Sequence, residues 1–277
     1  MDLASEIERN VAAALAEDVG NGDLTAPLTP AGKTARAIVI CRQETVICGQ
    51  PWFDATVLRL DPAATIAWTV AEGARVPAGT RVCAVSGNAR ALLAAERVAL
   101  NFLQTLSGVA TVTRRYVEAI AGTRARIVDT RKTLPGLRLA QKYAVRAGGG
   151  SNHRLGLYDA MLIKENHIAA AGGIRQAVTQ ARKLAHTGDW IQVEVENLDQ
   201  LKEALDAGAT MILLDNMSVD KIREAVKIAG DRAELEASGG ITLDNVRAIA
   251  ETGVHRISVG ALTKDVKAAD FSMRFEI

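Results

Sequence analysis

From Thr123 onward the chain alternates two kinds of pattern. Apolar runs of strand length close on polar or glycine residues: "RIVDTRK", "YDAMLIKE", "WIQVEVE", "TMILLDN", "ELEASGG" and "HRISVGA". Helix-like spacers such as "NLDQLKEALDAGA", "MSVDKIREAVKIAG" and "TLDNVRAIAETGV" set the last four runs roughly 20 residues apart, the repeat of a parallel β/α barrel. Too little chain remains for eight strands, so the expectation is an incomplete barrel of six or seven.

The first part of the chain reads differently. In "MDLASEIERNVAAALAEDVG", Leu3, Ile7, Val11 and Leu15 recur four apart, which predicts an amphipathic helix rather than a signal peptide. After the turn chemistry of "NGDLTAPLTP", the segments "ARAIVICRQETVICG" and "TIAWTVAEGARVPAGTRVCAVSG" are short β-branched strands broken by Gly and Pro, a small strand-rich unit. From Ala89 to about Gly122 the composition is helical, with Ser107 and Gly108 expected to divide two helices and the connection between units placed there.

Length and composition narrow the class. A chain of 277 residues accommodates two folding units. A hydrophobic share of 48% with a formal net charge of +1 describes an ordinary globular protein, and the apolar runs are shorter than a membrane span requires. The expected location is the cytoplasm. Cys41, Cys48 and Cys83 form no CxxC pair and are odd in number, which favours reduced structural thiols over a disulfide framework or zinc knuckle. Near-neutral balance argues against a general nucleic-acid binder.

One stretch departs from that balance. "DTRKTLPGLRLAQKYAVRAGGGSNHR", residues 129–154, holds Arg131, Lys132, Arg138, Lys142, Arg146, Arg154 and His153 against the single acid Asp129. Arg138, Lys142 and Arg146 are spaced four apart, a stripe that suits a solvated or subunit-facing helix side as well as a site. Arg131 and Lys132 instead follow directly on a strand, and His153 and Arg154 follow a glycine-rich break where backbone bends toward a ligand. Arg forks grip planar carboxylates while Lys acts as a point charge, so the mixed set points to a small ligand with several anionic groups.

Barrel proteins do their chemistry where the strands end. Collected there are Asp129, Arg131 and Lys132; Lys164 and Glu165; Glu194 and Glu196; Asp215 and Asn216; Ser238, Gly239 and Gly240; and Val259, Gly260 and Ala261. "EASGGITLDN" runs strand, glycine pair, helix start, which with "SVGAL" one repeat later suits phosphate: backbone N–H groups approach closely and a helix N-terminus follows. Alternation in "WIQVEVE" places Gln192, Glu194 and Glu196 on one side of the strand. Buried acids need partners, so Glu194 with Asp215 suits sugar hydroxyls or a hydrated Mg²⁺ bridging phosphates, or an internal salt bridge to Lys132 or Lys164.

In order, "LAEDVGNGDLT", "ERVALNFLQTLSGVAT", "DTRKT", "GGGSNHR", "LIKENHI", "VEVE" with "LLDNM", "EASGGI" and "SVGALT" closely resemble the quinolinate phosphoribosyltransferases, also called nicotinate-nucleotide pyrophosphorylases (carboxylating), over nearly the whole chain. The resemblance implies an N-terminal α/β sandwich domain over residues 1–110, joined by the C-terminal tail at about 267–277, and a β/α barrel over 111–266. It implies a homodimer with shared active sites, with higher assembly left open, and no nucleic-acid or membrane partner. The implied reaction joins quinolinate to phosphoribosyl pyrophosphate with Mg²⁺, releasing pyrophosphate and carbon dioxide and giving nicotinate mononucleotide for NAD synthesis, with no tightly bound organic cofactor. By motif, Thr130, Arg131, His153, Arg154 and Lys164 surround the quinolinate carboxylates, and Arg97 reaches in from the partner subunit. Lys132 matches the pyrophosphate-side lysine, Glu194 and Asp215 the ribose and metal side, and Ser238, Gly239, Gly240, Val259, Gly260 and Ala261 the phosphate loops.

Three other readings stand beside this one. A related phosphoribosyltransferase with a different acceptor shares much of the pattern; a Schiff-base barrel would use Lys164 as nucleophile; and an RNA- or anion-binding module would need interleaved aromatics, of which the basic stretch has only Tyr143. His167 and His255 read as structural and His186 as a polar loop residue.

Overall fold

The structure is a computed structural model that describes residues 2–186 and 189–276. In chain order the elements are α1 (Leu3–Asp18), β1 (Thr34–Cys41), β2 (Thr45–Val46), α2 (Gln50–Leu60), β3 (Thr65–Trp68), β4 (Arg75–Val76), β5 (Arg81–Asn88) and α3 (Ala89–Ala119). There follow β6 (Arg126–Val128), α4 (Arg138–Ala147), β7 (Met161–Ile163), α5 (Glu165–Ala171), α6 (Ile174–Leu184), β8 (Ile191–Val195), α7 (Leu198–Asp206) and β9 (Met211–Asp215). The last are α8 (Val219–Ala229), β10 (Glu234–Ser238), α9 (Val246–Ala250), β11 (Arg256–Ser258), α10 (Ala261–Lys264) and β12 (Phe271–Glu276). No helix among the described residues is long and apolar enough to cross a membrane.

These elements form two compact units, and the first takes residues up to 114, 133–149 and from 262 on. Its β-branched runs build an antiparallel sheet in the order β12-β1-β5-β3, with Ile38 of β1 opposite Arg274 on one side and Ala84 on the other. Phe53 of α2 and Leu100 and Leu103 of α3 pack with Val39, Val82 and Val85 into a core closed to solvent. That burial is the main drive for the fold, at about 1.5–3 kcal/mol for each large side chain. Cys41, Cys48 and Cys83 are free thiols within this unit, and all three are buried.

Two expectations change here. Ser107 and Gly108 do not divide the helix: α3 runs unbroken for 31 residues. The Ser107 hydroxyl is turned outward to the chain leading into α2, accepting from the Cys48 N–H at 2.9 Å and donating to the Cys48 carbonyl at 3.0 Å. Gly108 is bare because the Lys267 main chain crosses there, and a Cβ would overlap its carbonyl oxygen. Both residues mark packing against a neighbour, which local sequence does not distinguish from a break.

The second change concerns α4. Residues 133–149 lie within the span expected for the barrel but pack with the first unit. The stripe on α4 is not a solvated face throughout: Arg146 is exposed and Arg138 half-buried, but Lys142 is 1% exposed. The helix is anchored by Gln141, whose Oε1 accepts from the Leu134 N–H at 2.7 Å while its Nε2 donates to the Thr263 carbonyl at 2.8 Å.

The second unit is the barrel. All six apolar runs from 126 on are strands, parallel, in the order β6-β11-β10-β9-β8-β7. No strand pairing joins β6 to β7 among the described residues, so the sheet curls without closing. Val193, Ile212, Leu214, Leu235, Ala237 and Ile257 are buried on the other face of the sheet, where α6 and α7 pack on β8, α8 on β10 and α9 on β11. The alternate residues turn inward, two per strand: Leu162 and Lys164 at β7, Gln192 and Glu194 of β8, Leu213 and Asp215 of β9, Glu236 and Ser238 of β10, and Arg256 and Ser258 of β11, the second of each nearer the C-terminal rim. Helices restart after the rim under side-chain caps: Asn197 accepts from the N–H groups of Asp199 and Gln200, and Ser218 from that of Lys221.

Gly108→Ala tests the close crossing in the first unit. At an open helix position the change would stabilise by about 1 kcal/mol. Here denaturant unfolding is expected to show a loss of about 1–3 kcal/mol, because the methyl must displace packed backbone. A stabilised variant would mean that the crossing is loose.

Candidate active site

The barrel rim surrounds a cavity of about 490 Å³. Thr130, Arg131, Lys132, His153, Arg154, Lys164, Glu194, Asp215, Ser238, Gly239 and Gly240, all singled out from sequence, line it. They arrive from β6, from the loop after α4 and from the ends of β7 to β10, which is why no short sequence window contains the site.

The cationic side is built around Asp129. Its carboxylate is fully buried at the end of β6 and faces the protein rather than a ligand, accepting from the His153 N–H at 2.8 Å and the Asn152 amide at 2.6 Å. These bonds tie the 150–154 loop to the strand, aided by the bridge between Val128 and Ser151. Arg154 is thereby brought beside Arg131. Burial, and then the charge of Arg131, push the Arg154 guanidinium below its ordinary value, partly offset by Asp159 and Glu194. Like charges held this close favour an anion between them.

On the opposite side, the Lys164 ammonium is paired with Glu194 at 2.7 Å. Burial, and then the negative charge of Glu194, raise the Asp215 carboxyl above its ordinary range, against the opposing pull of Lys164, the Asn216 amide and Lys132. Asn216 sits at φ 52°, donating to Asp215 at 2.9 Å through its amide and to the Ser238 carbonyl at 2.9 Å through its N–H. Gly239, at φ 92°, must be glycine twice over: its conformation is left-handed, and a Cβ would overlap the Asn216 side chain. Two carboxylates beside two ammonium groups form a setting for ribose hydroxyls and for a cation that arrives with phosphates. Among the described residues no group of three or more His, Cys, Asp or Glu could hold a metal by itself.

Several expected features sit elsewhere. No helix starts directly after Gly240: α9 begins at Val246 and has only five residues, and the intervening turn is closed by the Asn245 amide donating to the Gly240 carbonyl at 2.9 Å. The turn therefore offers backbone of the glycine pair, not a helix end, to an anion. Val259 is 1% exposed and its N–H serves the Val128 carbonyl at 3.0 Å, so it pairs strands. Neither Val259, Gly260 nor Ala261 lines the cavity, although a Cβ on Gly260 would lie 3.2 Å from the Lys132 side chain. Glu196 is exposed past the strand end rather than facing inward with Glu194. Arg97 is exposed on α3 in the first unit, outside this cavity. His167 is structural, its Nδ1 accepting from the Lys164 N–H at 3.0 Å, and His255 likewise accepts from Leu235 at 3.1 Å.

Sequence reading also missed residues. Glu236 and Ser258 line the cavity floor, and Gln192 lies fully buried beside them. The signal was present in strand alternation: Glu236 stands two before Ser238, as Gln192 stands two before Glu194.

Comparison with known proteins agrees with this arrangement. Residues 23–107 match the family description "Quinolinate phosphoribosyl transferase, N-terminal domain" and residues 109–274 the corresponding C-terminal domain. The probable nicotinate-nucleotide pyrophosphorylase [carboxylating] of Bacillus subtilis (strain 168) is 43% identical over 257 residues, 93% of this chain and 89% of that protein. Its namesake in Synechocystis is 44% identical over 263 residues, covering 94% and 89%. The solved structure of nicotinate-nucleotide pyrophosphorylase from Francisella tularensis is 47% identical with a TM-score of 0.96, covering 100% of this chain and 98% of that one. Matching both domains in sequence, and a solved relative along its full length in structure, this chain belongs to the quinolinate phosphoribosyltransferase family.

Proposed function

We propose that this protein transfers phosphoribosyl from phosphoribosyl pyrophosphate to quinolinate with loss of carbon dioxide, giving nicotinate mononucleotide in NAD synthesis. The observation that carries the reading is one cavity with Arg131 and Arg154 crowded on one side and Glu194, Asp215 and Lys164 on the other. Two guanidinium groups match two adjacent carboxylates, and acidic groups match a ribose. The named relatives of this chain support it.

In this reading Arg131, Arg154 and Thr130 hold the pyridine dicarboxylate. Glu194 and Asp215 hold the ribose hydroxyls. The pyridine nitrogen bonds to the anomeric carbon as its bond to the pyrophosphate oxygen breaks. Positive charge grows on the ribose, which the two carboxylates favour, and negative charge grows on the leaving group, where Lys132 stands. Mg²⁺ bound to the pyrophosphate would add neutralising charge there, with Glu194 and Asp215 as its nearby acids, through water. The alkylated ring is then a cation. When the adjacent carboxylate leaves as carbon dioxide, the bonding pair stays on the ring carbon, is stabilised by that charge and takes a proton. Lys164, half-exposed and paired with Glu194, has an electrostatic role here; that pairing does not suit a free-amine Schiff-base nucleophile.

The working form in this proposal is a homodimer in the cytoplasm. The exposed Arg97 of one protomer completes the acceptor side of its partner's cavity, and the buried free thiols suit a reducing compartment.

Incubation with quinolinate, phosphoribosyl pyrophosphate and Mg²⁺ is expected to yield carbon dioxide and mononucleotide, and Arg131→Ala or Lys164→Ala to lose at least about 100-fold in turnover. Nicotinate, lacking one carboxylate, removes one anion from the crowded Arg131 and Arg154 and is expected to be worse by on the order of 100-fold or more. Comparable use of both acids would defeat the two-carboxylate reading. For the dimer, mixing inactive Arg97→Ala with inactive Arg131→Ala should restore part of the turnover, since one mixed site carries neither change; no recovery after subunit exchange counts against shared sites.

Asp215 gives a prediction of opposite sign for stability and activity. Its carboxyl is raised in the fold, so folded protein holds that proton more tightly than unfolded chain. The resulting stability is present below the ordinary carboxylate range and is lost as pH rises through the raised value. Once pH has risen past that value, the ionised group destabilises the ligand-free fold. Asp215→Asn is expected to raise the thermal midpoint at pH 7, to leave it nearly unchanged in acid, and to depress turnover.

A further inference from the structure

Below the cationic side of the cavity lies a line of buried polar groups that none of the steps above uses. Glu236 of β10 is fully buried. Arg256 Nε stands 3.1 Å from its Oε2, an ionic contact without an aligned N–H, and the Arg256 guanidinium lies 5.7 Å over the Trp190 ring. The Gln192 amide, fully buried on β8, donates to the same Oε2 at 3.1 Å. The Gln192 Oε1 lies 3.0 Å from His153 Nε2, Glu236 Oε1 itself faces the same nitrogen at 3.5 Å, and the His153 ring packs edge-on against Trp190 at 5.0 Å.

Donor and acceptor roles along this line allow one arrangement. Beside the Arg256 cation the Glu236 carboxylate accepts, so the Gln192 NH₂ must face Glu236 and its oxygen must face His153. An amide oxygen also only accepts, so His153 Nε2 must carry a proton. At the other side of the ring, His153 Nδ1 takes the Arg154 backbone N–H at 2.8 Å, which demands a lone pair there. The two ends agree on a neutral imidazole protonated at Nε2. The sequence reading grouped His153 with the cations around the acceptor; in the fold its nitrogens serve the protein.

We propose that Glu236 and Gln192 are positioning residues. They fix the tautomer of His153, and His153 in turn fixes the Arg154 main chain, holding the guanidinium at the depth where it meets an acceptor carboxylate. This rests on the proposed acceptor site. A neutral His153 also leaves Arg131 and Arg154 as the charges matched to two carboxylates, since Arg256 below them is paired with Glu236.

The test uses full-length ¹⁵N-labelled protein without substrate at pH 8, where two-bond correlations report which imidazole nitrogen carries the proton; His153→Asn assigns the signal among the four histidines. The expected pattern is a protonated Nε2 and a bare Nδ1. Gln192→Met removes both amide bonds while keeping the Glu236–Arg256 pair, and Glu236→Gln removes the charge that orients the amide. In folded Glu236→Gln the His153 signals should shift toward mixed tautomers, and in folded Gln192→Met they should shift the same way but less, since Glu236 Oε1 still faces Nε2. KM for quinolinate should rise about tenfold, with kcat and KM for phosphoribosyl pyrophosphate changed less than about twofold. A proton on Nδ1 in the unmutated protein, or unchanged KM for quinolinate in both folded variants, would overturn the proposal. Absence of quinolinate turnover by the unmutated protein would defeat the acceptor reading alone, and the substrate-free tautomer measurement would then decide the network by itself.

Discussion

A carboxylate enclosed by protein must find donors, and at the end of β6 those to Asp129 include the Asn152 amide and the His153 backbone N–H. Satisfying that one acid draws a glycine-rich loop from 24 residues further along the chain against the strand. The rest of the acceptor side follows from it. Arg131 comes two residues after the buried acid and Arg154 one residue after the tethered His153, so both guanidinium groups reach the same wall. Neither cation needs a strong fold preference of its own; each is carried by a backbone that Asp129 has already placed.

Groups placed this way pay for function with local repulsion. Arg131 and Arg154 face each other, and so do Glu194 and Asp215. Lys164 moderates the acidic side through its contact with Glu194 but leaves Asp215 raised. The unliganded cavity thus gathers like charges of each sign in separate halves, and a ligand carrying an anionic ring at one end and hydroxyls beside a developing cation at the other suits both at once. Selectivity and binding arise from the same feature.

Much of this was legible before any coordinates. Six strand-length apolar runs, their even spacing and their polar closings contained the barrel and most of the cavity, because parallel strands aim their C-terminal residues at one rim. What stayed hidden depended on distant packing. Ser107 and Gly108 resemble a helix break until Cys48 and Lys267 are seen against them. Lys142 looks solvated by its spacing, yet it is enclosed. The buried Gln192–Glu236 pair sat in plain alternation two residues below recognised rim groups, but a polar residue inside a strand announces no role until its neighbours are known.

The sheet of the first unit has a consequence for how the chain is made. Its β1 pairs on one side with β5 and on the other with β12, which follows the whole barrel in sequence. During synthesis Ile38, Val39 and Ile40 therefore present an open hydrogen-bonding edge until the ribosome has passed every barrel strand. Such an edge invites another nascent copy to pair. Prompt passage through the barrel repeats to β12 thus acts as protection for a different part of the molecule, and a slow codon or a sluggish repeat there would lengthen the interval of risk.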